Sequence, residues 1–202
     1  MINLVTGYKG IEHITSDDDA SRNASFIGSG KYVVKNGHKL SLEVITNNHV
    51  RIYDGECFNQ GRHIRINTND YEDITIDNGS QNVKRNDLIV LRFEKNSETG
   101  IENAEIVVLK GEEAIEVAID PEYVEGNLFN GDLIDDMLLY RVCLDGINIV
   151  KIDRLFEYMP TMDDIYKLFK QLFNKIALYN SNPKEEFDKL NNEESSLLFV
   201  NE

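Results

Sequence analysis

The chain has 202 residues and a mass of 23.1 kDa; it is 41% apolar and 28% charged, and 36 acids against 21 Lys+Arg leave a net charge of −15. That length supports one sizeable core, or one domain with an appendage. The charge argues against nucleic acid as a partner, since binding phosphates needs a surplus of Lys and Arg, while 9 Tyr and 9 Phe argue against wholesale disorder.

No run approaches the 18 or more apolar residues of a membrane helix, and no basic region followed by an apolar stretch opens the chain. Neither membrane insertion nor a signal peptide is expected. Cys57 and Cys143 lack CxxC spacing and read as free thiols of a reducing cytosol. The charge is uneven: residues 1–110 hold 13 basic and 16 acidic residues, and residues 111–202 hold 8 and 20. The second part therefore carries most of the self-repulsion.

In chain order, Asp17-Asp18-Asp19 opens an acidic stretch that reads as a solvated loop. As an EF-hand it fails, because Arg22 stands at the sixth place and Gly28 at the twelfth; a looser calcium loop is the alternative. Gly28-Ser29-Gly30-Lys31 resembles a phosphate loop only superficially. Tyr32 follows the lysine and Ser25 replaces the first glycine, so it reads as a turn before a strand.

Strand signals then dominate to residue 152. Tyr32-Val33-Val34-Lys35 and His38 to Val44 flank Asn36-Gly37, which predicts a hairpin with a type I′ turn. In Asn47-Asn48-His49-Val50-Arg51-Ile52-Tyr53-Asp54-Gly55, Asp54-Gly55 reads as a turn, and Arg62 as the partner of an acid across the sheet. Arg62 to Ile66 and Tyr71 to Ile76 alternate with period two, and Asn78-Gly79 closes the second run. Arg85-Asn86-Asp87 reads as a polar clamp at a strand start. Leu88 to Phe93 and Ile106 to Leu109 are dense enough for central strands. Leu139 to Leu144 and Ile147 to Ile152, around Asp145-Gly146, predict a second hairpin. The expected fold is mainly β, an antiparallel, jelly-roll-like β-sandwich of about eight strands over residues 1–157.

Over 158–180 the period changes. Thr161 can cap a helix, with Asp164 three positions on, and Ile165, Leu168, Phe169, Leu172, Phe173 and Ile176 form an apolar stripe. These six are the candidate assembly interface, and packing back on the chain's own sandwich is the alternative. Residues 181–202 read as an acidic, mobile tail.

Chemistry is thin. The four histidines lack the spacing of a zinc site, no Gly-x-Ser-x-Gly elbow occurs, and a Cys57–His63 pair reads better as packing than as a nucleophile and base. Asn23-Ala24-Ser25 and Asn78-Gly79-Ser80 are sequons that matter only on a secretory route. No catalytic residue, metal or cofactor is expected.

Taken in order, Asn48-x-x-Arg51-Ile52-x-Asp54-Gly55, Gln60-Gly61-Arg62, Ile76-x-Asn78-Gly79, Arg85-Asn86-Asp87-Leu88-Ile89, Gly100-Ile101-Glu102 and Leu139-Tyr140-Arg141-Val142 … Asp145-Gly146-Ile147 resemble a family of tail structural proteins of tailed phages and prophages of Gram-positive bacteria. The likeness spans about residues 8–157. It implies a non-enzymatic tail or baseplate component, similar to the N-terminal shoulder domain of siphophage receptor-binding proteins. It further implies contact with other tail or baseplate proteins, a homo-oligomer with a trimer favoured, and a place in the virion tail after synthesis in the host cytoplasm. The chain departs from that pattern by lacking a fibre repeat and a receptor-binding head, which favours an adaptor role. A carbohydrate-binding module is the alternative, with Tyr53, Tyr71 or Tyr123 serving as an aromatic platform where no Trp is present.

Overall fold

A computed structural model describes residues 14–181, and the chain divides into two units, Met1–Met159 and Pro160–Glu202. The stretch expected to be a mobile tail lies outside the described residues beyond Ser181.

The acidic stretch is a helix rather than a loop. In α1 (Ser16–Ile27) the Asp18 amide donates to the Thr15 hydroxyl at 3.1 Å, and the Asp18 carboxylate accepts from the Thr15 amide at 3.0 Å. This reciprocal box satisfies two orphan donors, and Asp17, Asp18 and Asp19 lie where the helix dipole favours negative charge. Gly28 closes the last turn. Only Ala20 of α1 is buried, so no apolar periodicity marks the helix in the sequence.

Nine strands follow among the described residues: β1 (Lys31–Val33), β2 (Leu42–Thr46), β3 (His49–Asn59), β4 (Arg62–Thr75), β5 (Lys84–Lys95), β6 (Glu102–Leu109), β7 (Ile134–Asp145), β8 (Asn148–Arg154) and β9 (Glu157–Tyr158). One sheet runs β2-β3-β1-β9 with β4 also on β3, and the other runs β6-β5-β7-β8. Every pairing is antiparallel except β1 with β9. The two sheets face each other over one core. Val33, Val50, Ile52, Cys57 and Ile74 meet Ile89, Leu91, Met137, Leu139 and Val142. This is the mainly β sandwich that the alternating pattern predicts.

The first expected hairpin does not form. β1 pairs with the C-terminal half of β3, and β2 with its N-terminal half, so they lie end to end along the same strand. The connection between them bends over Asp54-Gly55, which does not reverse the chain but sits mid-strand at a register shift. There Leu40 plugs the core, its amide donating to the Asp54 carbonyl at 3.3 Å. A Cβ on Gly55 would lie 2.4 Å from the Leu40 nitrogen, so this close approach requires glycine. The reversal falls instead at Gln60-Gly61, both at positive φ, between the paired Asn59 and Arg62.

The two period-two runs expected as separate strands are one strand, β4. Tyr53 pairs with Tyr71 and Gly55 with Ile66, so Asn67–Asp70 bulges outward with Asn69 at positive φ. β6 is an edge strand rather than a central one, and its inward residues Ile106 and Val108 are only half-buried. The second hairpin forms with its turn one residue later than expected, at Gly146-Ile147 between the paired Asp145 and Asn148.

β5 is buried on both faces, since Leu88, Ile89, Val90, Leu91 and Phe93 are all shielded. Ile89 and Leu91 join the core, and the long connection from β6 to β7 crosses the opposite side of the sheet. Several bonds fasten that connection: Ala114 bridges to Lys84, the Asp120 carboxylate accepts from Asn86 at 2.9 Å and from Arg141, and the Val124 amide donates to Asp136 at 2.9 Å. At the start of β5, Arg85 donates two hydrogen bonds to Asp87, at 2.8 and 2.9 Å, and more to the carbonyls of Asp77 and Asn78; both ions are essentially inaccessible. This is the clamp expected of Arg85-Asn86-Asp87.

Removing one partner of such a pair strands a buried charge. Asp87→Ala is expected to destabilise the protein by about 3–5 kcal/mol in denaturant titrations, whereas replacing Arg85 and Asp87 together by apolar residues of similar volume costs far less.

Candidate functional site: assembly surfaces

The second unit begins with α2 (Met162–Ser181). Thr161 caps it as expected: the Asp164 amide donates to its hydroxyl at 3.1 Å, and the Asp164 carboxylate accepts from its amide at 2.9 Å. All six candidate residues lie on this helix. Leu168, Phe169 and Ile176 are each more than half exposed, Phe173 is 69% exposed, Leu172 46%, and Ile165 is half-buried. Two further residues extend the stripe that sequence reasoning started at Ile165: Met162 and Tyr166 are exposed on the same turn-by-turn pattern. Met162, Phe169 and Ile176 recur every seven residues, as do Ile165 and Leu172. That spacing could have been found in the sequence, and it is the kind found along the seams of coiled coils.

The outer face of the first sheet carries two of the three aromatic candidates. Cross-strand partners Tyr53 and Tyr71 stand side by side, but the Arg51 guanidinium lies 3.6 Å over the Tyr71 ring and is held there by two bonds to Asp73, at 2.7 and 2.9 Å. The Tyr53 hydroxyl donates to Glu43. Tyr71 thus offers a sugar one face at most. Tyr123 belongs to the connection over the second sheet, next to the Val124 amide that binds Asp136, and forms no common platform with the other two.

The polar candidates are engaged in structure. Arg62 pairs not with an acid across the sheet but with Asp17 of α1, at 2.7 Å, and its guanidinium stacks 4.9 Å over Phe93. Asp17 also takes Lys95 at 2.9 Å, and Asp19 pairs with Arg22. Cys57 lies in the core opposite Ile64, where burial pushes its thiol up to about 12. His63 stacks on Phe58 and bonds Glu56 at 2.7 Å, His49 lies 3.5 Å from Asp73, and His38 contacts Asp54. Among the described residues no group of three or more His, Cys, Asp or Glu could hold a metal, and no helix is long and apolar enough to cross a membrane.

Two adjacent acids on β7 organise one end of the sandwich. Asp135 accepts from the Lys31 ammonium and from the Gly126 amide, both at 2.8 Å, and Asp136 accepts two bonds from Arg92, at 2.7 and 2.8 Å. Burial pushes the Asp136 carboxyl up, but Arg92 and the Val124 amide outweigh it and hold the group below the usual carboxylate range. The bonds from Arg141 hold Asp120 low in the same way, against a smaller effect of burial.

Compared with known proteins, the chain matches no protein-family model and no curated protein.

Two outcomes follow from the titrating groups. Because Cys57 carries almost no thiolate at pH 8, it should escape alkylation in the native protein and react fully in denaturant, as read by mass spectrometry. Asp136 and Asp120 are more acidic folded than unfolded, so their stabilisation is complete above about pH 5 and drains away as pH falls through their folded values. Arg92→Ala, which leaves the buried Asp136 carboxylate without its guanidinium partner, should move the acid-unfolding midpoint to higher pH.

Proposed function

We propose that this is a non-enzymatic assembly protein, a sandwich that sits in a larger structure and is held there in part by self-association through α2. The observation that carries this reading is the exposed stripe. The described residues of the second unit are one helix, and one helix cannot cover its own apolar face. A 20-residue helix is marginal in water without tertiary contacts, so the stripe calls for a partner surface.

A second copy of α2 fits the stripe. The seven-residue spacing is that of helices packing along a seam, and Asp163, Asp164, Lys167, Lys170 and Lys175 leave the helix close to neutral in a strongly acidic chain. Two heptads give little stability alone, so the association draws on other surfaces as well. The resemblance to tail structural proteins of phages and prophages supports a trimer in a tail or baseplate, touching other tail proteins and made in a bacterial cytoplasm. The carbohydrate-binding alternative draws less support, because Arg51 covers Tyr71.

Leu168→Asp with Leu172→Asp is the test. Multi-angle light scattering should show a homo-oligomer for the parent chain and a monomer for the variant, with the same β-rich circular dichroism. A parent chain that is monomeric, or a variant of unchanged mass, removes the self-association reading.

A further inference from the structure

β4 and β6 are both edge strands: among the described residues β4 pairs only with β3, and β6 only with β5. They border one side of the sandwich. Between them opens a groove of about 310 Å³ that reaches the core. Its walls are Ile64, Ile66 and Ile74 on β4 with Ala104 and Ile106 on β6, and Leu91 and Leu139 lie at its floor. That volume is roughly twice the ~150 Å³ that holds a benzene ring in an apolar cavity. Facing sheets lie about 10 Å apart and paired strands about 4.8 Å apart, so a strand laid between two such edges comes within pairing distance of either.

The two edges also run the same way. Asp17 of α1 binds both Arg62, the first residue of β4, and Lys95, whose strand partner Glu102 is the first residue of β6. From that end the strands proceed side by side, and one incoming chain direction is antiparallel to both.

The charge at the groove selects the occupant. Glu72 pairs in register with the buried Ile52, so it shares the inward face with Ile74 and stands over the apolar floor. It makes no ion pair or hydrogen bond within the described residues. Of the other charged residues at the groove, Glu105 on the opposite rim pairs in register with Arg92, Arg65 with Glu56 and Asp73 with Arg51, which leaves Glu72 as the charge over the floor. A second copy of this chain suits the groove poorly. Each copy carries −15, and its most exposed alternating apolar run, Ile115, Val117 and Ile119, is flanked by Glu112, Glu113 and Glu116. We propose that the groove between β4 and β6 is a docking site for an extended strand of another protein, with apolar side chains at alternate positions and Lys or Arg between them. Two apolar side chains enter the groove, backbone groups complete an exposed edge, and the basic side chain meets Glu72.

No residue of α2 lines this groove, so its test leaves the self-association reading untouched. An acetylated and amidated octapeptide with isoleucine at alternate positions and lysine and threonine between them is titrated into the full ¹⁵N-labelled chain. Saturable shifts are expected at the amides of residues 64–66, 72–74 and 104–106. The peptide with glutamate in place of lysine should bind at least tenfold more weakly. Glu72→Lys, an exposed change that leaves the core intact, should reverse that order. Three results overturn the proposal: no saturable shift, shifts confined to other surfaces, or equal affinity for the lysine and glutamate peptides. If Glu72 serves only to keep edges of neighbouring molecules apart, Glu72→Lys changes solubility and none of these affinities.

Discussion

The bond from Lys31 to Asp135 is the constraint on which the stacking of the two sheets rests. The ammonium starts on β1, in the first sheet, and ends on a fully buried carboxylate of β7, in the second, with a further bond to the Asp136 carbonyl at 2.8 Å. Apolar contacts are non-directional and tolerate sliding, whereas a buried carboxylate without its cation is strongly penalised. One relative placement of the layers satisfies Lys31; any other leaves a charge stranded. The same two acids then gather what lies near them. Asp136 fixes Arg92 of β5 and the Val124 amide, Asp135 fixes the Gly126 amide, and Gln60, in the β3–β4 turn, bonds the Gly126 carbonyl at 2.8 Å and accepts from the Leu128 amide at 2.9 Å. The long connection over the second sheet is thus anchored to both layers.

A second organising feature is the irregularity in β3. A regular strand of this length would present one neighbour on each side. The register shift at Asp54-Gly55 divides β3 into halves, so β2 and β1 share one flank while β4 and its bulge follow the other. The cost is a buried Asp54, answered by His38 and by the Leu40 amide on its carbonyl. The consequence is a first sheet that ends in β4 at one side and in the short parallel β9 at the other.

Sequence pattern carried the layers and lost the connections. Period-two alternation located the two halves of β4, and the dense run Leu88 to Phe93 located β5, because burial of a face leaves a mark at every second residue and burial of both faces leaves an unbroken run. The Asp145-Gly146 hairpin was legible for the same reason. Asn36-Gly37 misled, because turn chemistry reports that the chain bends there and not which strand it meets next; β1 meets the C-terminal half of β3 instead of β2. α1 went unseen because its signal is a capping box and three acids rather than a stripe. Ile106 to Leu109 read as central because composition reports apolarity, while the position of a strand within a sheet depends on partners far away in the chain. Of the two surfaces proposed for docking, the α2 stripe was visible as spacing, and the β4–β6 groove was not, since it is made by two strands that meet only through topology.

The shared direction of β4 and β6 has a geometric meaning beyond the contact itself. A strand that lies antiparallel to both edges is received with its head and tail fixed, unlike a ligand that fits a symmetric pocket in either sense. A partner whose strand is received there would be held in one orientation, so the two ends of the sandwich would not be equivalent to it.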